Sequence, residues 1–189
     1  MACYGYADNV KATDNAFGKD TVIMEYDNQC REGGSDTGLS IVLFSPEYVD
    51  KVIEYEKKLR LEEPDTYYWE PDETYKNNLS ASFTDPRFIN ALSFLAVEKG
   101  EVIGRIDANI ISSRADADCG SAYLDWISVL KSCRHKKVAQ KMLAALQEAL
   151  KEKGIRLLIA LMAGNDEAQR FYRNIENASI HDEGVWMKF

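Results

Sequence analysis

The sequence predicts a mixed α/β (α+β) domain, with a twisted, partly antiparallel sheet and flanking helices. Three observations carry this. Residues 123–130 alternate aromatic, β-branched and polar positions, as a strand does. A basic loop then opens a segment that is apolar at Val138, Met142, Ala145, Leu146 and Ala149, the spacing of a helix. Residues 91–97 and 102–111 read as two strands joined by a tight turn at 98–101. Residues 156–162 form a near-continuous apolar run, as in a strand buried on both faces.

Taken in order, residues 1–40 are rich in Gly, Asp and Asn and form an N-terminal extension. One apolar run at 21–26 suits a strand, and 31–38 suits a loop. The domain proper is expected over 41–189. It begins with a short strand at 41–44. Ser45, Pro46 and Glu47 then supply a helix N-cap, a proline at the first helical position and an acid in the first turn. Val49, Val52, Ile53 and Leu59 make one apolar stripe on a helix ending near Arg60. Residues 62–73 hold six acids and no base, with Tyr67, Tyr68 and Trp69 among them. The next helix runs from Asp72 to about Phe83, turning Tyr75, Leu79 and Phe83 inward. After the two meander strands, 112–120 is a polar loop that leads to the central strand. Gly154 ends the central helix. A short helix is expected over 166–173, and 178–181 can pair with 185–189 as a hairpin.

Composition narrows the function. The 189 residues are enough for one domain with a proper core, and 46% hydrophobic with 29% charged residues is ordinary for a globular protein. A formal charge of −8 argues against non-specific nucleic-acid binding and mildly favours cationic small molecules. No apolar run approaches membrane-spanning length, and the N-terminus has no basic segment followed by an apolar one, so no membrane anchor or secretory signal is expected. Cysteines 3, 30, 119 and 133 form no Cys-x-x-Cys pair. With only His135 and His181 beside them, no metal site is expected, and reduced thiols fit a cytoplasmic protein.

The chemistry concentrates where the central strand becomes a helix. The first N–H groups of a helix lack internal partners and carry partial positive charge, so they bind phosphate. Arg134, His135, Lys136 and Lys137 sit at that end, where an anionic ligand would offset their own repulsion from the dipole. The stretch from Arg134 to Ala139 resembles the acetyl-CoA loop of the GCN5-related N-acetyltransferases (GNATs), which runs Arg/Gln-x-x-Gly-x-Gly/Ala. Arg134 and Ala139 match it. Lys137 stands where the family usually has its first glycine, and it serves a phosphate only if its φ is negative and its side chain points away. Residues 165–172 are similar to the family's second motif, with Asn165, Ala168, Phe171 and Tyr172 at its marked positions.

The resemblance covers residues 41–189, and it implies both a fold and a set of roles. The central strand pair would be splayed, with acetyl-CoA, a cosubstrate, wedged in the opening. The loop from Arg134 through His135, Lys136, Lys137 and Val138 to Ala139 would hold its phosphates. The backbone of Ile127, Ser128 and Val129 and the amide of Asn165 would meet its pantetheine arm. Tyr172 would protonate the departing thiolate.

Asp125 stands where polyamine-type members carry an acid. By strict alternation it shares a face with Tyr123 and Ile127, and there it would bind the amine or take its proton through water. Tyr123, Asp125 and Trp69 are thus the candidate acceptor contacts, Trp69 from an acidic, aromatic rim that attracts amines. The expected activity is N-acetyl transfer to a primary amine of a small molecule. A non-catalytic acyl-CoA-binding domain and a peptide N-terminal acetyltransferase stay open as alternatives. A homodimer formed by exchange of the C-terminal hairpin is allowed.

Overall fold

A computed structural model describes residues 38–67, 69–112, 114, 120–181 and 187. The strand expected at 21–26 and the loop expected from 31, up to residue 37, lie outside these residues. Five strands form one sheet in sequence order: β1 (Leu39–Leu43), β2 (Ala91–Glu98), β3 (Glu101–Ile111), β4 (Ser121–Val129) and β5 (Leu157–Ala160). β1 to β4 are antiparallel, and β5 joins β4 in parallel. A parallel neighbour requires a crossover, and α3 (Val138–Glu152) supplies it. Helices α1 (Val49–Glu62) and α2 (Glu73–Ala81) lie between β1 and β2 in the chain, and α4 (Asp166–Arg173) comes after β5.

Residues that pair directly in an antiparallel ladder share a face of the sheet. One face carries Leu92, Ala96, Gly104, Ile106, Ala108, Leu124, Ile127 and Val129, and α3 crosses it. The stripe of α3 is buried there at Val138, Met142, Leu146 and Ala149, as the spacing predicts. At Gly104 the helix comes so close that a Cβ would lie 3.0 Å from Met142 Cε and 3.2 Å from the Ser128 carbonyl oxygen. The opposite face carries Leu95, Arg105, Asp107, Tyr123, Trp126 and Ser128, and α1 lies over β3 on this side.

Three features differ from expectation. The apolar run at 156–162 yields a strand only over Leu157–Ala160, and it is not buried on both faces, because it is the edge strand and leaves Leu157 and Ile159 exposed. Pro46 opens a short 3-10 turn, and α1 proper begins only at Val49. Residues 178–181 take no strand conformation, so the expected C-terminal hairpin does not form through them, and most of its second half lies outside the described residues. The exchange dimer built on that hairpin loses its support.

Candidate active site

The site begins with one extra residue. Asp107 of β3 pairs with Trp126, but the next residue, Ala108, pairs with Leu124, so Asp125 is a β-bulge with no partner on β3. A bulge reverses the alternation beyond it. Tyr123 therefore faces α1 while Ile127 faces α3, which corrects the expectation that Tyr123, Asp125 and Ile127 share one face. Asp125 is exposed, so its carboxylate lies in solvent.

Pairing between β4 and β5 runs from Ser121 and Leu157 to Leu124 and Ala160 and stops at this bulge. Residues 125–129, including Ile127, Ser128 and Val129, continue without a β5 neighbour. The two strands thus separate where a thioester arm was expected to enter. The Val129 carbonyl accepts from Arg134 Nε at 3.1 Å.

At the far end of β4 the loop turns into α3. No side chain caps this helix, so its first N–H groups are left for an anion. His135 and Lys137 both take left-handed backbone conformations, with φ of 63° and 61°. The negative φ required of Lys137 is not observed. It adopts the conformation that glycine takes without strain, at a cost of about 1–2 kcal/mol for an L-residue. His135, Lys136 and Lys137 are exposed, whereas Val138 is buried and Ala139 half-buried.

Arg134 turns away from the helix end. It meets both carboxylate oxygens of Glu63, the first at 3.0 Å from Nη1, and lies 2.5 Å from Glu167 on α4. Ser132 Oγ donates to Glu62 at 2.6 Å. Two acids of the acidic rim are therefore committed to the basic loop. Asp72 caps α2 by accepting from the Tyr75 N–H at 2.8 Å.

Across the opening, Asn165 caps α4 by accepting from the Ala168 N–H at 2.8 Å, leaving its NH2 group for another acceptor. Tyr172 is half-buried. Burial pushes its phenol above the ordinary tyrosine value, and the nearby Tyr123 adds to this. Tyr172 is therefore fully protonated at neutral pH, as a proton donor must be.

The α1 side of the sheet is unusually polar. Ser128 Oγ accepts from Trp126 Nε1 at 2.7 Å and lies 2.7 Å from Tyr55 OH, so its side chain is buried under α1 and only its backbone faces the opening. Burial holds the Tyr55 phenol well above the ordinary value. Glu56, 1% exposed, lies 2.7 Å from Arg60 Nη1 and 3.4 Å from Arg105 Nη1. Arg105 also meets Asp107 at 2.8 Å and the Tyr75 hydroxyl at 2.7 Å. Burial disfavours its charge, but Asp107, Tyr75 and Glu56 outweigh burial and raise its pKa. Arg60 stacks 3.6 Å from the centre of the Trp69 ring and donates to the Trp69 carbonyl.

Trp69, expected to hold a substrate amine, thus gives one face to a cation of the chain itself. Among the described residues, the rim aromatic that reaches β4 is Tyr67, 5.6 Å from Trp126. Tyr67, Trp126 and Asp107 were not singled out as site residues by sequence reasoning. Alternation counted back from an unrecognised bulge assigned the wrong neighbours, and only the aromatic content of 62–73 pointed their way.

Residues 54–175 match the Acetyltransferase (GNAT) family. No curated protein matches the sequence. Among solved structures, the chain is similar to the aminoglycoside acetyltransferase meta-AAC0020 from an uncultured soil metagenomic sample, in complex with trehalose. The identity is 17% and the TM-score 0.66, over 82% of this chain and 97% of that one. It is also similar to AAC(6')-Iy in complex with the bisubstrate analog CoA-S-monomethyl-acetylneamine, at 18% identity and a TM-score of 0.63, over 80% and 98% of the two chains. A third similar structure is the ribosomal-protein-alanine N-acetyltransferase from Brucella melitensis biovar Abortus 2308, at 16% identity and a TM-score of 0.61, over 80% and 99%. At these identities the likeness shows the fold. No helix among the described residues is long and apolar enough to cross a membrane.

Proposed function

Because the chain belongs to the GNAT acetyltransferase family, we propose that it moves an acetyl group from acetyl-CoA to the primary amine of a small molecule, by direct attack in a ternary complex. Family membership makes it an acetyl-CoA-dependent N-acyltransferase; the acceptor class and the residue roles are the proposal. The observation that carries it is the loss of β4–β5 pairing at the Asp125 bulge. It leaves the backbone of Ile127, Ser128 and Val129 without a β5 partner, next in the chain to the uncapped end of α3, while α4, which follows β5, carries Tyr172.

In this reading the N–H groups from His135 to Ala139, with the charges of Lys136 and Lys137, take the phosphates of acetyl-CoA. The strand backbone and the Asn165 NH2 group align the pantetheine and polarise the thioester carbonyl. The acceptor enters from the α1 side, drawn by the acidic surface and bounded by Tyr67, Trp69, Tyr123 and Trp126. Its ammonium gives a proton to solvent water, and the exposed Asp125 carboxylate beside the opening supplies a counter-charge that draws the amine in. The neutral amine attacks the carbonyl carbon to form a zwitterionic tetrahedral intermediate; its collapse breaks the C–S bond and expels the thiolate, which takes the Tyr172 proton, while the second nitrogen proton leaves the nascent amide through water and restores the Tyr172 phenol. Amines such as the aminoglycosides acted on by similar enzymes fit this acidic, aromatic surround; a peptide N-terminus is the second class to try, because one similar structure is a ribosomal-protein-alanine acetyltransferase.

The test is thiol release from acetyl-CoA across polyamines, aminoglycosides, amino acids and short peptides, with wild type beside Tyr172→Phe. The expected result is amine-dependent release whose kcat falls about 10²-fold in the variant, the lower end for loss of a general acid. Tight CoA binding with no release on any amine, and a silent Tyr172→Phe, would overturn it.

A further inference from the structure

Arg134 is the residue that best matches the phosphate-loop motif, yet its guanidinium is already engaged. Nε donates to the Val129 carbonyl, Nη1 to Glu63 and Glu167, and Nη2 to the second Glu63 oxygen. That uses four of the five donors that a guanidinium has. The side chain is only 15% exposed. A phosphate brought to it would stand against two carboxylates, so the contact would be repulsive on balance. A loop lysine is not committed in this way: Lys136 reaches Glu98 only at 4.0 Å and is more than half exposed.

The three partners of Arg134 belong to three separate walls of the opening. Val129 ends β4. Glu63 is the C-cap of α1, four residues before Tyr67, which packs on Trp126. Glu167 lies in the first turn of α4, five residues before Tyr172. A planar fork meeting two carboxylates fixes direction as well as distance.

We propose that Arg134 is a positioning residue: it locks α4, and with it Tyr172, and the end of α1, and with it the Tyr67 wall, to the splayed end of β4, and it does not ligate the CoA phosphates. The inference rests on the transferase reading above, since it assigns Arg134 a part in that reaction. It extends the reading by separating acid placement from cofactor affinity.

The experiment compares Glu167→Gln, Arg134→Gln and wild type in three measurements. These are the Kd for CoA by calorimetry, kcat at saturating acetyl-CoA, and hydrogen exchange of the α4 amides. Glu167 is nearly half exposed, so its variant retains the fold. The expected result for Glu167→Gln is a kcat about tenfold lower, a CoA Kd within twofold of wild type, and faster exchange over 166–173. Arg134→Gln should show the same split, with a larger fall in kcat. Wild-type kcat and unchanged α4 exchange in Glu167→Gln would overturn the proposal. So would an Arg134→Gln variant whose CoA Kd rises tenfold or more while kcat at saturation is kept. If the wild type acylates no amine at all, it is the transferase reading that fails, and the exchange and CoA-affinity measurements still decide whether Arg134 locks α4 or binds phosphate.

Discussion

Replacing Glu56 with alanine is the sharpest test of the polar network beneath α1. Glu56 and Asp107 offset Arg60 and Arg105, so the buried cluster is neutral. Removing Glu56 leaves it with a net positive charge. Each carboxylate–guanidinium contact at about 4 Å is worth about 4 kcal/mol at an effective dielectric of about 20. Taking each ion out of water costs several kcal/mol. The net loss on breaking a buried pair is about 3–5 kcal/mol. The lower half of that range applies here, because Arg105 keeps Asp107 and Arg60 keeps the Trp69 ring and carbonyl. We expect about 3–4 kcal/mol, and a Tm lower by about 6–16 °C for a domain of this size. Glu56→Gln keeps the shape and an acceptor oxygen, and should cost about 1.5–3 kcal/mol. Urea unfolding followed by circular dichroism measures both. A cost below about 1 kcal/mol for the alanine variant refutes the reasoning. So does strict additivity with Arg105→Met, because groups in one network must couple.

Three further outcomes are expected. Gly104→Ala forces a methyl against Met142 and the Ser128 carbonyl, and should cost about 1–2 kcal/mol in the same assay, whereas a neutral result would mean that α3 can shift off the sheet. Lys137→Gly relieves a left-handed lysine worth about 1–2 kcal/mol and adds unfolded-state freedom of about 0.4–1 kcal/mol, so stability should rise by about 0–1.6 kcal/mol; a fall in Tm would show that the lysine side chain contributes a contact of its own. Burial raises the phenols of Tyr55, Tyr67, Tyr75 and Tyr172, so the folded state holds those protons more tightly than the unfolded chain. The stability this confers is complete below pH of about 10 and is lost as pH rises from there through the folded-state values. Absorbance at 295 nm should show a late tyrosine class that titrates together with alkaline unfolding, and a single step near pH 10 with the fold intact would contradict it.

The order of elements was legible because each has a period of its own. The α3 stripe at Val138, Met142, Leu146 and Ala149 and the apolar run of β2 are local patterns, and Gly154 marks its helix end with a φ of 75°. The bulge at Asp125 was not legible: no glycine or proline marks it, and it is defined only by the register against β3. Every face assignment that counted across it failed with it, including the grouping of Tyr123 with Ile127. The partners of Arg134 were equally hidden. Glu63 and Glu167 lie 71 and 33 residues away, and nothing in a basic loop says that acids from two helices will close on it. Residues 62–73 announced acids and aromatics correctly, but the division of labour within them is set by tertiary contacts. Glu62 and Glu63 serve the loop, Asp72 serves a helix cap, and Trp69 serves Arg60.

The two faces of the sheet do different work, and the bulge separates them. Under α3 the contacts are apolar and non-directional; they hold the fold together and tolerate small adjustments. Under α1 the chain places buried charge and hydrogen bonds where an apolar core would be as stable or more so. Two of those links end on aromatic rings, Trp126 and Trp69. Tyr55 and Ser128 fix the Trp126 indole, and Glu56 and Arg60 fix Trp69. Apolar packing alone would leave those rings a choice of rotamers, whereas directional contacts to Ser128 and Arg60 narrow it. The reversal of alternation at Asp125 is what brings Trp126 and Ser128 onto this face together with Tyr123, so that one inserted residue both ends the pairing with β5 and turns the fixed rings toward the space beside it. A wall ordered before any ligand arrives spares whatever binds against it the entropy of ordering it, and under the proposed function that preorganisation would add to the attraction of the acidic surface.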